Sequence, residues 1–173
     1  NIPHQKITTD TTEFKYYEID KKGRMTTKKL YLDPFMDMYN GEIISYGLSK
    51  TPSSENILNA LDKAIEITKD CKYRRTFHSD RGWAYQMKAY KYKLKENRIY
   101  QSMSRKGNCY DNSKMENFFG ILKQEMYYGK TYYSYEELEQ AINTYIDYYN
   151  NKRIKEKLGW LSPVEFRIKR KIA

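Results

Sequence analysis

The sequence has few of the residues that build thiolate metal sites or disulfide frameworks. Its 173 residues include two cysteines, Cys71 and Cys109, and two histidines, His4 and His78. That is too few for a disulfide scaffold or a multi-histidine metal site, and no Cys/His set has zinc spacing. No apolar run approaches the roughly 20 residues that cross a bilayer, and no apolar signal segment opens the chain. We therefore expect reduced thiols, a cytoplasmic location and no membrane association.

The length predicts one domain. A chain of 173 residues is long enough to bury a core and fits a single domain, with or without a tail. Because it begins at Asn1 rather than Met, we expect it to be a piece of a longer protein. We divide it into a core over residues 1–150 and a basic C-terminal extension of the same domain over residues 151–173.

The positive charge is concentrated in two blocks. The net charge is +10, with 32 Lys and Arg against 22 Asp and Glu. Residues 71–110 carry a net +9 and residues 151–173 a net +6, whereas residues 1–70 and 111–150 are slightly acidic. Such blocks favour binding to a polyanion. The alternative is a solvated basic surface with no partner.

Hydrophobic patterning predicts a mixed α/β fold. Strands over 5–17, 29–39 and 42–49, with Asn-Gly at 40–41, are typical of an antiparallel meander. Strand and helix patterns then alternate, which favours parallel strands with right-handed crossovers. These later elements are a helix from Ser53 or Ser54, a strand at 74–80, a helix at 85–97, a strand at 98–103, helices at 113–126 and 134–153, and a last helix capped by Ser162.

Three acids stand in positions that invite a functional interpretation. Asp10 lies within a predicted strand, where acids are depleted; Asp80 ends another strand; Glu116 lies beside the apolar stripe of a helix. Converging carboxylates suit a pair of magnesium ions and phosphoryl transfer.

Each acid also has a structural alternative. Asp10 fits an edge strand, Asp80 fits a cap of the next helix, and Glu116 fits a first-turn acid facing the helix dipole. The residue types alone do not select these three from the 22 acids of the chain.

Five stretches in a fixed order carry a family resemblance, and thirty-five residues separate Asp80 from Glu116. The stretches are TTDTTEF (8–14), LYLDPFMDMYNGEIISY (30–46), FHSDRGWAY (77–85), SMSRKGNCYDNSKMENFFGILKQE (102–125) and YIDYYNNKRIKEKLGWLSPVEF (145–166). In these stretches the chain resembles the catalytic core of insertion sequence three family transposases, which are related to retroviral integrases. It departs from the usual pattern at Ile7, where Trp is common, and at Arg81, where Gln is frequent.

The resemblance implies a ribonuclease H-like fold over residues 1–150, with a mixed five-stranded sheet and helices on both faces. It implies that Asp10, Asp80 and Glu116 are the catalytic triad and the ligands of two Mg²⁺ ions, for which Mn²⁺ can substitute. It assigns Asp10 to both ions and each other acid to one. The implied reaction cuts DNA at the ends of a mobile element and joins the resulting 3′-hydroxyl to target DNA.

The resemblance also implies partners. These are the DNA of the element ends and of the target, further copies of the chain assembled on that DNA, and a helix-turn-helix protein or region that recognises the ends. It implies an N-terminal region before this core and a place in the bacterial cytoplasm, at the nucleoid.

Basic residues near the predicted site are candidate DNA contacts. Basic and aromatic side chains alternate along the helix at 85–97, which suits phosphate contact and base stacking; solvated lysines and half-buried tyrosines are the alternative. The candidates are Arg81, Lys88, Lys91, Lys95, Arg105 and Lys106.

Two polar residues are candidates for supporting the site. His78 either orients a ligand or packs within its strand. Asn112, one helical turn before Glu116, either reaches the site or serves with Asp111 as a helix cap.

Two functions of different class fit these features. The first is an enzyme, a metal-dependent DNA strand transferase. The second is a DNA-binding module of a mobile element without chemistry of its own. A stand-alone nuclease of the same fold is a variant of the first. The intact triad favours the enzyme, because three unneutralised acids would repel DNA.

Overall fold

The computed structural model describes residues 2–106 and 112–172, and these residues contain six strands and six α-helices. The strands are β1 (Lys6–Thr9), β2 (Thr12–Ile19), β3 (Met25–Asp37), β4 (Ile43–Ser49), β5 (Thr76–Ser79) and β6 (Tyr100–Met103). The helices are α1 (Ser54–Ile67), α2 (Trp83–Gln86), α3 (Lys88–Glu96), α4 (Ser113–Met126), α5 (Tyr135–Asn151) and α6 (Pro163–Ile172). Within the described part of the chain, no helix is long and apolar enough to cross a membrane.

The first predicted strand, 5–17, is divided into β1 and β2, which makes the five predicted strands six. Both parts pair antiparallel with β3 in one continuous register, so the break at Asp10 falls opposite Pro34. A proline has no backbone N–H to donate to the ladder. The Thr9 hydroxyl instead donates to the Pro34 carbonyl at 2.9 Å. The interruption frees Asp10 from regular pairing.

The sheet is mixed, as expected. Its order is β2-β3-β1-β5-β6, with β4 paired to β3. Pairs among β1 to β4 are antiparallel, whereas β1 pairs parallel with β5 and β5 pairs parallel with β6. The parallel part puts the carboxyl ends of β1, β5 and β6 at one edge of the sheet, where functional groups gather in α/β folds.

Helices cover both faces of the sheet, as predicted. Helices α4 and α5 pack on one face, where Leu32 and Phe14 of the sheet meet Phe118 of α4. Helices α1 and α3 pack on the other face around Ile7 and Phe77. Burying one such side chain stabilises the fold by roughly 1.5–3 kcal/mol.

Serines begin three of the helices. The Ser53 side chain caps α1. Ser134 accepts from the Glu137 N–H at 3.0 Å, but the Glu137 carboxylate accepts from the residue before Ser134 rather than from Ser134 itself. The full reciprocal capping box is at α6, where Ser162 and Glu165 bond to each other's backbone N–H.

The predicted helix at 85–97 is wrong as one element. It is interrupted at Met87, whose backbone is extended, so the chain forms α2 and then α3. Tyr85 and Tyr90, on either side of the break, are both buried in the core beneath α1, with ring centroids 5.4 Å apart.

The segment after residue 151 is bonded to the rest of the chain. Arg167 of α6 donates to the Glu42 carboxylate at 2.8 Å, and Asn40 donates to the Pro163 carbonyl at 2.8 Å. Arg153 makes a two-pronged ion pair with Glu125 of α4. The first two contacts fix α6 to the turn between β3 and β4, and the third fixes Arg153 to α4.

Replacing Phe118 by Ala should lower the free energy of unfolding by about 3–5 kcal/mol, because this side chain is fully buried and its loss leaves a cavity. Its ring packs 4.8 Å from that of Tyr149. Urea denaturation measures the change. Tyr133→Ala, at a site that is 53% exposed, is the matched control and should shift stability by no more than about 0.5 kcal/mol. Equal losses in the two variants would contradict this assignment of the core.

Candidate active site

The parallel pairing of β1 with β5 places Asp10 beside Asp80. Thr8 of β1 is opposite His78 of β5. Asp10 and Asp80 each lie two residues beyond this pair. Asp10 follows β1 directly and accepts the Thr11 N–H at 2.8 Å. Both acids therefore leave neighbouring strands at the same edge of the sheet.

The turn after β5 holds the Asp80 side chain. One carboxylate oxygen, Oδ1, accepts the Gly82 N–H at 2.7 Å, just before α2. A Cβ on Gly82 would come within 2.9 Å of that oxygen, so glycine permits the close approach. This bond closes the turn before α2 but does not cap the helix, whose N-cap residue is Gly82, so the helix-cap alternative for Asp80 is wrong. The carboxylate remains exposed to solvent.

Glu116 lies in the first turn of α4 and is exposed. The start of this helix is tied to β1 by Asn112. The Thr8 hydroxyl donates to Asn112 Oδ1 at 2.6 Å, and Asn112 Nδ2 donates to the Thr9 carbonyl at 3.2 Å. These bonds couple the strand that ends at Asp10 to the helix that carries Glu116.

The capping alternative for Asn112 is wrong. Asn112 occupies the N-cap position of α4, but its side chain makes no capping hydrogen bond to the helix. Asp111, its partner in that alternative, lies outside the described residues, as does most of the segment 104–112 between β6 and α4.

The three acids share one electrostatic environment. The pKa of Asp10 is raised from its ordinary value of 3.8 to about 6, chiefly by burial and also by the charges of Asp80, Glu116 and Asp33, while the Thr11 N–H lowers it. The charges of both other predicted triad members thus act on Asp10.

The donor set fits a hard divalent cation. Carboxylate oxygens are the ligands that Mg²⁺ prefers, and Mg²⁺ in such sites keeps waters and substrate phosphate as further ligands. Among residues 2–106 and 112–172, no three Asp, Glu, His or Cys side chains already form a group that could hold a metal. The arrangement is an open set of converging acids, in which a cation would relieve the repulsion on Asp10.

Asp33 is a fourth acid that the sequence reasoning missed. It is buried in β3, accepts hydrogen bonds from Thr11 and from Asn56, and its pKa is raised mainly by burial. With Asp10 and Asp80 it lines a cavity of about 320 Å³. The available signal was the one used for Asp10, an acid inside a strand pattern.

Tyr85 lines the same cavity and was also missed as a site residue. It is 3% exposed, and in the described structure its hydroxyl has no hydrogen-bond partner. Burial raises its pKa, and the charges of Asp10 and Asp33 add to the effect. A neutral phenol therefore stands beside the acids.

His78 is held between the ends of two strands. Its Nδ1 lies 2.8 Å from the Ser102 hydroxyl and its Nε2 lies 3.1 Å from the Ser104 hydroxyl. These contacts join His78 of β5 to Ser102 of β6 and to Ser104, which follows β6. They favour the interpretation of His78 as a packed strand histidine.

The six predicted DNA contacts fall on different parts of the molecule. Arg81 donates to the Ser104 carbonyl at 3.0 Å, and the exposed Arg105 and Lys106 follow that serine, so these three lie at the edge of the acids. The other three are on α3, which begins with the exposed Lys88. Lys91 and Lys95 line a groove at the opposite ends of β5 and β6.

Models of the integrase core domain match residues 1–109 and 116–170 of this chain. The chain belongs to the integrase core domain family. An uncharacterized transposase-like protein of Haemophilus influenzae is 49% identical over 95% of this chain and 71% of its own length. The putative transposase InsK for insertion sequence element IS150 of Escherichia coli is 44% identical over 95% of this chain. The chain spans 55% of InsK.

Solved structures show the same fold. The integrase core superposes on the HTLV-2 integrase catalytic core domain, solved with magnesium, with a TM-score of 0.70 over 96% of this chain and 97% of the other, at 18% identity. The catalytic domain of the Mos1 mariner transposase gives a TM-score of 0.62 at 16% identity, over 83% of this chain and 70% of the other. The predicted ribonuclease H-like fold is confirmed. The integrase core family and its fold are those of polynucleotidyl-transferase-type enzymes.

Replacing Asp10 by Asn should stabilise the metal-free protein at neutral pH. The pKa of Asp10 is raised to about 6, so the folded state holds its proton more tightly than the unfolded state, and stability falls as the pH rises from about 4 to about 6. The difference between the ordinary pKa of 3.8 and the folded pKa of about 6 corresponds to about 3 kcal/mol. We therefore expect the free energy of unfolding of Asp10→Asn to exceed that of the wild type by about 1–3 kcal/mol at pH 7.5 in EDTA, and this gain to fade towards pH 4.

Urea denaturation at the two pH values measures this gain. Asp20→Asn is the control, because hydrogen bonds from the Arg24 backbone and side chain lower the pKa of that exposed carboxyl. It should give no gain at either pH. A gain in Asp10→Asn that is the same at both pH values would refute the assignment to a buried charge.

Proposed function

We propose that this chain is the catalytic core of an insertion-sequence transposase, which cuts DNA at element ends and transfers the 3′-hydroxyl to target DNA. The observation that carries the proposal concerns the three predicted triad acids. The charges of Asp80 and Glu116 both act on Asp10. The family relationship supports it, because the two relatives described above are named as a transposase or as transposase-like. The chain spans 71% of one and 55% of the other.

The three carboxylates would hold two Mg²⁺ ions, or Mn²⁺ in their place, with Asp10 shared. When bound, the ions supply activation of the attacking oxygen and neutralisation of the leaving oxygen. Asp10 is suited to this role because burial and like charges make it unstable as a free anion. Asn112 and Thr8 would keep Glu116 and Asp10 at a constant separation through their hydrogen bonds.

The chemistry would have two balanced steps. In the first, water attacks phosphorus, a P–O bond breaks, and the element end keeps a 3′-hydroxyl while the flank takes the phosphate. In the second, that 3′-hydroxyl attacks a target phosphodiester, loses its proton to solvent, and displaces a target 3′-oxygen that leaves as a hydroxyl. Both are in-line displacements at phosphorus, so one set of carboxylates can serve both.

The partners follow from the reaction. The substrates are the DNA of the element ends and the target, and we propose that copies of the chain assemble on that DNA because two ends must be joined. A helix-turn-helix protein or region would recognise the ends. The bacterial nucleoid is where such substrates occur. Arg81, Arg105 and Lys106 would contact the DNA that enters the acidic edge, which is supported by the Arg81–Ser104 hydrogen bond and by the exposure of the two residues that follow Ser104.

Glu116→Gln and Asp80→Asn should each lower metal-dependent resolution of a branched DNA by roughly 100-fold or more, because each removes a charge that stabilises the reacting centre. The substrate mimics a joined product and so reduces the need for end-recognition partners. Product strands on a denaturing gel, with Mg²⁺ or Mn²⁺, report the rate.

Glu18→Gln is the matched control, since Glu18 is an exposed acid near the end of β2 that is remote from Asp10. It should resolve branched DNA like the wild type. A triad variant as active as the wild type would sink the assignment. DNA binding without metal-dependent cutting by the wild type would favour a non-catalytic binding module, and cutting without joining would favour a nuclease.

A further inference from the structure

A strongly basic groove of about 770 Å³ lies at the ends of β5 and β6 remote from the acids. Its lining contains no Asp or Glu among the described residues. The cations that line it are Lys72, Arg74, Arg75, Lys91, Lys95 and Arg98. A concave surface lined by one sign of charge focuses the electrostatic potential on a ligand of opposite charge.

The groove is separate from the candidate active site. Arg75 stands just before β5 and Asp80 just after it. Five residue steps along a strand, at about 3.3 Å each, put these two residues roughly 16 Å apart. A phosphate held in the groove is therefore not the phosphate that meets Asp10.

The structure keeps the positive charge of the groove available. The Arg75 guanidinium donates to the Ile65 carbonyl, the Thr68 hydroxyl and the Asn97 carbonyl. These hydrogen-bond partners are neutral and fix the side chain, while the negative charge of Asp70, outside the lining, also acts on it. By contrast Lys93, on the same helix as Lys91 and Lys95, pairs with Asp62 and is not part of the lining.

Exposed aromatic rings stand among the cations. Tyr73 and Tyr100 line the groove and are 65% and 53% exposed. The Arg74 guanidinium lies over the Tyr100 ring, 5.3 Å from its centroid. Such amphipathic rings beside cations suit a nucleic acid, whose sugars and bases they can contact while the cations meet phosphates.

One cation of the groove has an unfavourable backbone. Arg98 has a φ of 56°, in the left-handed region where glycine or asparagine is less strained. Helices commonly end on a residue of this conformation, and here the Arg98 N–H donates to the Lys95 carbonyl and the Ile99 N–H to the Leu94 carbonyl. The turn brings Arg98 into the same lining as Lys91 and Lys95.

We propose that this groove binds the phosphate backbone of a second DNA segment, distinct from the segment whose phosphodiester reaches the acids. The inference rests on the proposed function, because joining an element end to a target requires two DNA segments on one assembly. Duplex DNA carries one negative charge per about 1.7 Å of axis, so several phosphates meet the six cations at once.

The test compares two double variants of equal charge change. Arg74→Glu with Arg98→Glu reverses two groove cations, and Lys21→Glu with Lys22→Glu reverses two exposed cations of the turn between β2 and β3. Fluorescence anisotropy with a labelled 20-base-pair duplex measures Kd over a salt series. The buffer contains EDTA, so no cutting occurs and the result is independent of the triad.

We expect the groove variant to bind at least about tenfold more weakly and to lose roughly 1.8 from the slope of log Kd against log salt, since each phosphate contact contributes about 0.9. The turn variant should stay within about twofold of the wild type, because few counterions are released there. Circular dichroism verifies folding; if the double reversal unfolds the chain, Arg74→Gln with Arg98→Gln replaces it and should show the same slope change in part.

Equal affinity and equal slope in the two variants would overturn the proposal. Displacement of the duplex from the wild type by polyglutamate at equal charge concentration would also overturn it, since that result assigns the groove to acidic proteins. Failure of the wild type to cut branched DNA would remove the proposed function while leaving this binding result intact. Loss of the groove effect would leave the Glu116→Gln result intact.

Discussion

The candidate active site depends on one constraint, the partly buried position of the Asp10 carboxylate beside other acids. The parallel pairing of β1 with β5 sets Asp10 next to Asp80, and the Thr8–Asn112 bond brings the start of α4 to the same edge. Each contact that gathers the acids also has a cost, and the raised pKa of Asp10 reflects first its burial and then the charges of the neighbouring acids. The two core clusters on either face of the sheet provide the stabilisation that offsets this cost.

Local signals in the sequence were sufficient for most elements, whereas the three acids were selected by the family resemblance. Alternation and capping patterns predict the strands and the helices at Ser134 and Ser162, and the spacing of Asp80 and Glu116 supports the family resemblance. The break that releases Asp10 was not predicted, because its partner Pro34 is remote in sequence and the pairing appears only when β1 meets β3. Propensity rules describe one segment at a time and do not include this partner.

Asp33 and Tyr85 were missed in the sequence for the same reason, which is that their partners are remote in sequence. Asp33 and Tyr85 become relevant only because β3 and α2 fold against the turn after β1 and line one cavity with Asp10. A buried acid with two side-chain donors and a buried phenol without a partner are tertiary facts. The interruption at Met87 is of the same kind, since it accompanies the burial of both Tyr85 and Tyr90. Helical periodicity predicts one continuous helix there.

The distribution of charge connects the acids to the basic surfaces. A polyanion is repelled by Asp10, Asp80 and Glu116 unless cations neutralise them, so DNA must be drawn in by positive groups elsewhere. Sequence charge places a net +9 in residues 71–110, but the fold divides that block between the two ends of β5. Arg81 stays with the acids, whereas Arg74 and Arg75 turn to the far groove. Because β5 is only four residues long, one short strand connects a site suited to phosphate chemistry with a surface suited to phosphate binding.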